Sequence, residues 1–218
     1  MIAYVNDSAG GIQAAARETG MQVGQFFSPT SRRYKLVVPE IPYIVDNGCF
    51  VGFRQGVEMG TFPYLIARLR KERDKCRFVT VPDAYGSAIE TRAIWDERKE
   101  LFPYLAGWPL AYVAQPGAVG TIPWRSINAL FVGGPDAWQL SEACATVIRA
   151  AKIRGLWVHV GRLNEPTRLR HFSKLGVDSF DGLALTGRGR KEQRIALAQA
   201  WADLCGSPAP TPLFQEAA

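Results

Sequence analysis

The sequence predicts an α/β fold, a compact (β/α)8 barrel of the TIM type. Three observations point to it. About eight short apolar runs recur along 218 residues. Several are continuous in Val, Ile, Leu, Phe and Tyr rather than alternating, which marks strands covered on both faces, as in a parallel sheet under helices. Segments with helical spacing lie between them, and that alternation fits one domain of crossover-connected strands. An open doubly wound sheet is the alternative. No G-x-G-x-x-G follows a strand and opens a helix, so a dinucleotide site is not supported; Gly187-Arg188-Gly189-Arg190 is only a fragment of one.

Taken in order, the strands are read at Ile2–Val5, Val23–Phe27, Tyr43–Val45, Arg77–Val81, Leu110–Ala114, Ala129–Val132, Leu156–Val160 and Ser179–Leu183. The first helix is placed at Phe62–Lys75, where Leu65, Ile66 and Leu69 make an apolar stripe against Arg68, Arg70, Lys71, Arg73 and Lys75. That basic cluster reads as a solvated face. Ser87–Phe102 follows, with Ile89, Ala93 and Ile94 on one side. Asp136–Arg154 opens on a capping aspartate and carries Leu140, Cys144, Val147, Ile148 and Ala151. Glu165–Lys174 is stopped by Gly176, and Lys191–Cys205 completes the set. The stretch from Gln115 to Ser126 is too short and too rich in Pro and Gly for a full helix, so one barrel unit is expected to be degenerate. Residues 1–205 are read as a single catalytic domain, and 206–218, with three prolines, as a loose tail.

Composition narrows the class. At 47% hydrophobic and 21% charged residues the chain can bury a sizeable core. No run of 18 apolar residues occurs, and the N-terminus lacks the pattern of a signal peptide, so the expected setting is cytoplasmic and away from membranes. The four cysteines are scattered without C-x-x-C spacing, so neither a zinc site nor another metal site is expected, and reduced thiols are the default. A net charge of +6 is compatible with a nucleic acid partner.

Chemistry is concentrated at predicted strand ends. Asp46, Asp83, Gln115, Gly133-Gly134, His159 and Asp181 all fall at or just past one. In a barrel those ends face the active site. A single such aspartate is more often a cap or turn former; the set carries the argument.

The series resembles a known family. Asp46-Asn47-Gly48-Cys49-Phe50 is similar to the D-S-G-G-F signature of the tRNA-guanine transglycosylases. Phe78-Val79-Thr80-Val81-Pro82-Asp83 resembles the strand bearing that family's base-recognising aspartate. Tyr112-Val113-Ala114-Gln115-Pro116-Gly117 resembles its G-I-V-Q-G-G loop, and Phe131-Val132-Gly133-Gly134 its A-V-G-G segment. Gly176-Val177-Asp178-Ser179-Phe180-Asp181 resembles G-I-D-M-F-D, whose last aspartate is the nucleophile. Order and spacing agree from about residue 43 to residue 190. Three departures stand out. Cys49 replaces a glycine, Gly187 replaces an arginine, and the C-terminal zinc subdomain is missing. The chain is most similar to the shorter, phage-type DNA 7-deazaguanine transglycosylases.

That resemblance implies exchange of guanine in DNA for a free 7-deazaguanine base, with 7-cyano-7-deazaguanine as the first candidate and no cofactor. If the chain is phage-encoded, the compartment is the host cytoplasm. Asp181 is expected as nucleophile at the sugar C1′, kept ionised by Arg188 or Arg190, and Asp46 as general acid and base. Asp83, Gln115, Gly133 and Gly134 are expected to bind the base edge, with Phe50 stacked on the ring. The target base must first leave the helix. Arg162, Arg168, Arg188 and Arg190 are candidates for phosphate contact. Asp178 reads as structural. His159 reads either as a packing residue or as part of the site, and Cys49 either as catalytic or as accommodated beside the base. The six tryptophans read as packing residues, with Trp124 and Trp138 near the rim. A tRNA or nucleoside substrate, a hydrolase and a non-catalytic nucleic acid-binding barrel stay open, as does a homodimer.

Overall fold

A computed structural model of the chain describes residues 1–31, 35–51, 61–187 and 189–206. Eight parallel strands close into one barrel in sequence order: β1 (Ile2–Val5), β2 (Gln22–Phe27), β3 (Tyr43–Val45), β4 (Cys76–Thr80), β5 (Leu110–Ala114), β6 (Ala129–Val132), β7 (Trp157–Val160) and β8 (Ser179–Asp181). Closure is made by β1, which pairs Ala3 with Val23 on one side and with Phe180 on the other. The fold is a TIM barrel.

The strand interiors predict their own packing. Inward positions supply Tyr4, Ile44, Phe78, Ala111, Val113, Ala129 and Phe131, which fill the barrel. The opposite faces join the helices in a larger outer core that includes Val5, Val45, Val79, Val132, Phe172 and Phe180. Burying each large side chain there stabilises by about 1.5–3 kcal/mol. Tyr4 dictates its neighbour: a Cβ at Gly24 would stand 2.3 Å from the Tyr4 ring, so β2 needs glycine at that point. Near the start of β4 the exposed Arg77 lays its guanidinium 4.4 Å over the Trp157 ring.

The outer helices are α1 (Ala9–Thr19), α2 (Phe62–Leu69), α3 (Ala88–Asp96), α4 (Arg98–Leu101), α5 (Asp136–Gln139), α6 (Glu142–Ile153), α7 (Pro166–Lys174) and α8 (Lys191–Cys205). Five findings correct the sequence reading. The helix read at Phe62–Lys75 is α-helical only to Leu69 and tightens into a 3-10 helix over Arg70–Lys75. Helix α1 was not foreseen, although Ser8 caps its start by accepting from the Gly11 N–H and Gly20 ends it at φ 66°. The helix read at Asp136–Arg154 is two, because Ser141 restarts it by accepting from Cys144 N. The one read at Ser87–Phe102 breaks at Glu97. Strand β8 stops at Asp181, not Leu183; Leu183–Leu185 coils into a 3-10 turn. Between β5 and β6 the chain makes only turns, as the degenerate unit required.

Candidate active site at the C-terminal rim

The loops after the strands enclose one cavity of about 940 Å3. Asp46 leaves β3, Asp83 lies three residues past β4, and Gln115 follows β5. Gly133 and Gly134 follow β6, Arg162 lies beyond β7, and Asp181 ends β8. All seven line that cavity, with Phe50 and Tyr85 beside them. Each sits there because parallel strands deliver their C-terminal ends to the same rim.

One side is an amide–carboxylate network. Asp83 Oδ1 accepts from Asn47 Nδ2 at 2.8 Å, and Oδ2 accepts from Gln115 Nε2 at 2.6 Å. The same Asn47 amide reaches Val81 O at 2.9 Å, and Gln115 Oε1 accepts from Gly86 N at 3.0 Å. Gln115 is therefore fixed by Asp83 and Gly86. Burial raises the Asp83 carboxyl above its usual range against its Asn47, Gln115 and Cys49 donors.

Asp46 also lies in strongly perturbing surroundings. Its Oδ2 accepts from Gly48 N at 3.1 Å, and its Oδ1 lies 3.5 Å from the Thr80 hydroxyl. Burial, then the charges of Asp181 and Asp83, push it up to about 7, against those two donors. A carboxyl poised there holds or releases a proton near neutral pH.

Asp181 has a different setting. His159 Nε2 lies 3.0 Å from its Oδ1, and the Arg162 N–H donates to its Oδ2 at 3.4 Å. Arg162 is the non-glycine residue at positive φ among those described, at 60°. That conformation costs of order 1 kcal/mol and persists only when surroundings fix it. Here the Arg162 guanidinium donates to Gly134 O and lies 4.3 Å over the Phe50 ring.

Several expected roles change. The donors on the Asp181 carboxylate are His159 and Arg162 N, rather than Arg190, which is exposed and outside the cavity lining. Arg168 is 8% exposed and is spent on Asp136, Gln139 and the Arg162 carbonyl, so it braces the wall instead of reaching a phosphate. Arg188 lies outside the described residues. His159 is fully buried beneath the rim and meets the site through Asp181. Cys49 sits behind Asp83, with its thiol pushed up to about 12 by burial and by that aspartate's charge; little of it is thiolate at neutral pH. Asp178 pairs with Lys152 at 2.6 Å and accepts from Val158 N at 2.7 Å, away from the cavity.

The sequence reading did not single out Asn47, Thr80, Tyr85 or Ser179. Asn47 and Thr80 had a signal: one adjoins Asp46 in an Asx-type turn, and the other takes the inward face of β4, two residues from Phe78. Among the described residues no group of three or more His, Cys, Asp or Glu is placed to hold a metal ion, and no helix is long and apolar enough to cross a membrane.

No protein-family model matches the chain, and no curated protein does. Among solved structures, 189 chains match, which reflects a fold shared by many chemistries. One, described as "Native KDPGal structure", aligns over 94% of this chain and 95% of its own at 15% identity, with a TM-score of 0.51. That likeness establishes the (β/α)8 barrel and no activity.

Proposed function

We propose that the chain is a transglycosylase that exchanges guanine in DNA for a free 7-deazaguanine base. The supporting observation is that one rim cavity holds two carboxylates in unequal surroundings, Asp46 raised to about 7 and Asp181 bound by two N–H donors. A carboxylate of each kind is what N-glycoside exchange uses. The resemblance of the five strand-end motifs to those of the tRNA-guanine transglycosylases supports this choice of reaction, and a barrel with its polar groups at this rim suits an enzyme.

In this reading an extrahelical guanine enters the cavity. Asp83 accepts from its N1–H and amino group, Gln115 gives its remaining amide hydrogen to O6, and Phe50 lies against the ring. Asp181 Oδ2 bonds to C1′ as the bond from C1′ to guanine N9 breaks, and Asp46 gives its proton to the departing base. The incoming 7-deazaguanine then loses its N9 proton to Asp46 and displaces Asp181 from C1′. Protons and bonds balance over the cycle, and no cofactor is consumed.

The test is transfer of labelled 7-cyano-7-deazaguanine into guanine-containing DNA, with tRNA and guanosine run beside it. Label in DNA, lost in Asp181→Ala, is the expected result. Label in tRNA alone would move the substrate to RNA. Salt-sensitive DNA binding without label in any arm would overturn the reading in favour of a binding barrel.

A further inference from the structure

Beneath the cavity lies an imidazole to which the proposed chemistry gives no task. His159 packs against Phe131 at 4.7 Å, Phe78 at 5.4 Å and Tyr4 at 5.9 Å between ring centroids. Its Nδ1 lies 2.9 Å from Ser179 Oγ, and its Nε2 lies 3.0 Å from Asp181 Oδ1. Ser179 Oγ also accepts from Trp157 Nε1 at 2.8 Å.

Donor counting orients this chain. An indole N–H only donates, so the serine oxygen accepts from Trp157. Its own hydrogen is then available to His159 Nδ1, and the tautomer with Nδ1 accepting is the one that uses it. A neutral imidazole has one N–H, leaving Nε2–H to donate to Asp181 Oδ1. The opposite tautomer would set two lone pairs against each other across Nε2 and Asp181 and turn the serine hydrogen away from the imidazole, at a cost of about 1–3 kcal/mol. The titratable side chains packed on the imidazole are Asp181 of β8 and Tyr4 of β1, with Arg77 lying on the far side over the Trp157 ring.

We propose that Trp157, Ser179 and His159 form a one-way donor chain that pins Oδ1 of Asp181 and leaves Oδ2, which among the described residues accepts from Arg162 N at 3.4 Å, as the attacking atom. His159 is then a positioning residue that keeps one tautomer and relays no proton. When Oδ2 bonds to C1′, Oδ1 becomes the ester carbonyl and still accepts from Nε2–H, so nothing in the chain needs to change protonation. The catalytic half of this statement rests on the transglycosylase reading; the hydrogen-bond half does not.

Long-range proton–nitrogen NMR on the full chain separates the two. The protein has two histidines, His159 and His171, so His171→Gln assigns the spectrum. The chain predicts Nε2 protonated and Nδ1 bare at neutral pH, and a mixed tautomer in Ser179→Ala. In the label-transfer assay, Ser179→Ala and His159→Leu should lower kcat by roughly 10–100-fold, as loss of an orienting partner does elsewhere. KM for DNA and the shape of the pH profile should hold. His159→Gln, which keeps an N–H donor, should recover part of the rate. A bare Nε2 in the wild-type protein would overturn the chain whatever the activity. Unchanged kcat in Ser179→Ala, in a protein that transfers label, would overturn the positioning role. Protonated Nε2 in a protein that transfers no label would sink the transglycosylase reading and leave the donor chain standing.

Discussion

Asp46 and Asp181 line the same cavity and live in opposite surroundings. Around Asp46 are burial and two further carboxylates, with one backbone N–H and a distant hydroxyl to offset them. Around Asp181 are a fully buried imidazole and a backbone N–H set by a strained arginine. The chemistry of a carboxylate is set by its neighbours, so in the proposed reaction two identical side chains serve as a proton carrier and a fixed nucleophile.

The sharpest way to break this contrast is to remove each member. Asp181→Ala should cut label transfer by roughly 10^4-fold or more, since among the described rim residues no other group replaces the proposed covalent nucleophile. Equal activity in the variant would end the assignment.

Asp46→Asn should reduce transfer by roughly 10^2–10^4-fold, and it should also reveal the strain on that carboxyl. The folded state holds this proton to about 7, against an unfolded value of about 3.9. Folding therefore takes up a proton between those values, and the stability tied to the protonated form is lost as pH rises through about 7. Asparagine does not titrate. Urea unfolding at pH 8 should show the variant more stable by on the order of 1–3 kcal/mol, with the gain gone near pH 4. In the wild-type enzyme, kcat/KM for DNA should fall as pH rises past about 7, because bond cleavage needs the protonated acid. A flat profile there would contradict the role.

Asp178→Ala probes the contrast from outside, since this carboxylate shares β8's approach but serves Lys152 and Val158 N. Losing it should cost about 1–3 kcal/mol of stability and leave the pH profile alone. The smallest effect belongs to Gly133→Ala. Its Cβ would come within 2.8 Å of Gln115 Nε2 and 2.7 Å of Val113, displacing the amide from Asp83. Base affinity should weaken about 10-fold, or roughly 1.4 kcal/mol, while kcat at saturation changes little.

Much of the frame was legible. Strands buried on both faces write continuous apolar runs, and these gave all eight strands to within a residue or two. Helix α1 escaped because Ala9-Gly10-Gly11 and its alanines offer no strong stripe, although the Ser8 and Gly20 caps were there to read. The end of β8 escaped because Leu183 and Leu185 continue the apolar pattern. What turns the chain is close contact at Gly182, where a Cβ would stand 2.2 Å from Leu163 O, and no local residue type announces that. At the site, strand ends located Asp46, Asp83, Gln115 and Asp181. The fates of His159, Arg168 and Cys49 depended on which side chains lay behind the rim, a long-range matter beyond any local pattern.

The most direct measurement is intact-mass analysis of the protein quenched during turnover with guanine-containing DNA. The account predicts a covalent protein–DNA adduct in the wild type, mapped by digestion to Asp181, and absent in Asp181→Ala. An adduct that persists in Asp181→Ala, or one mapped to Asp46, would contradict it.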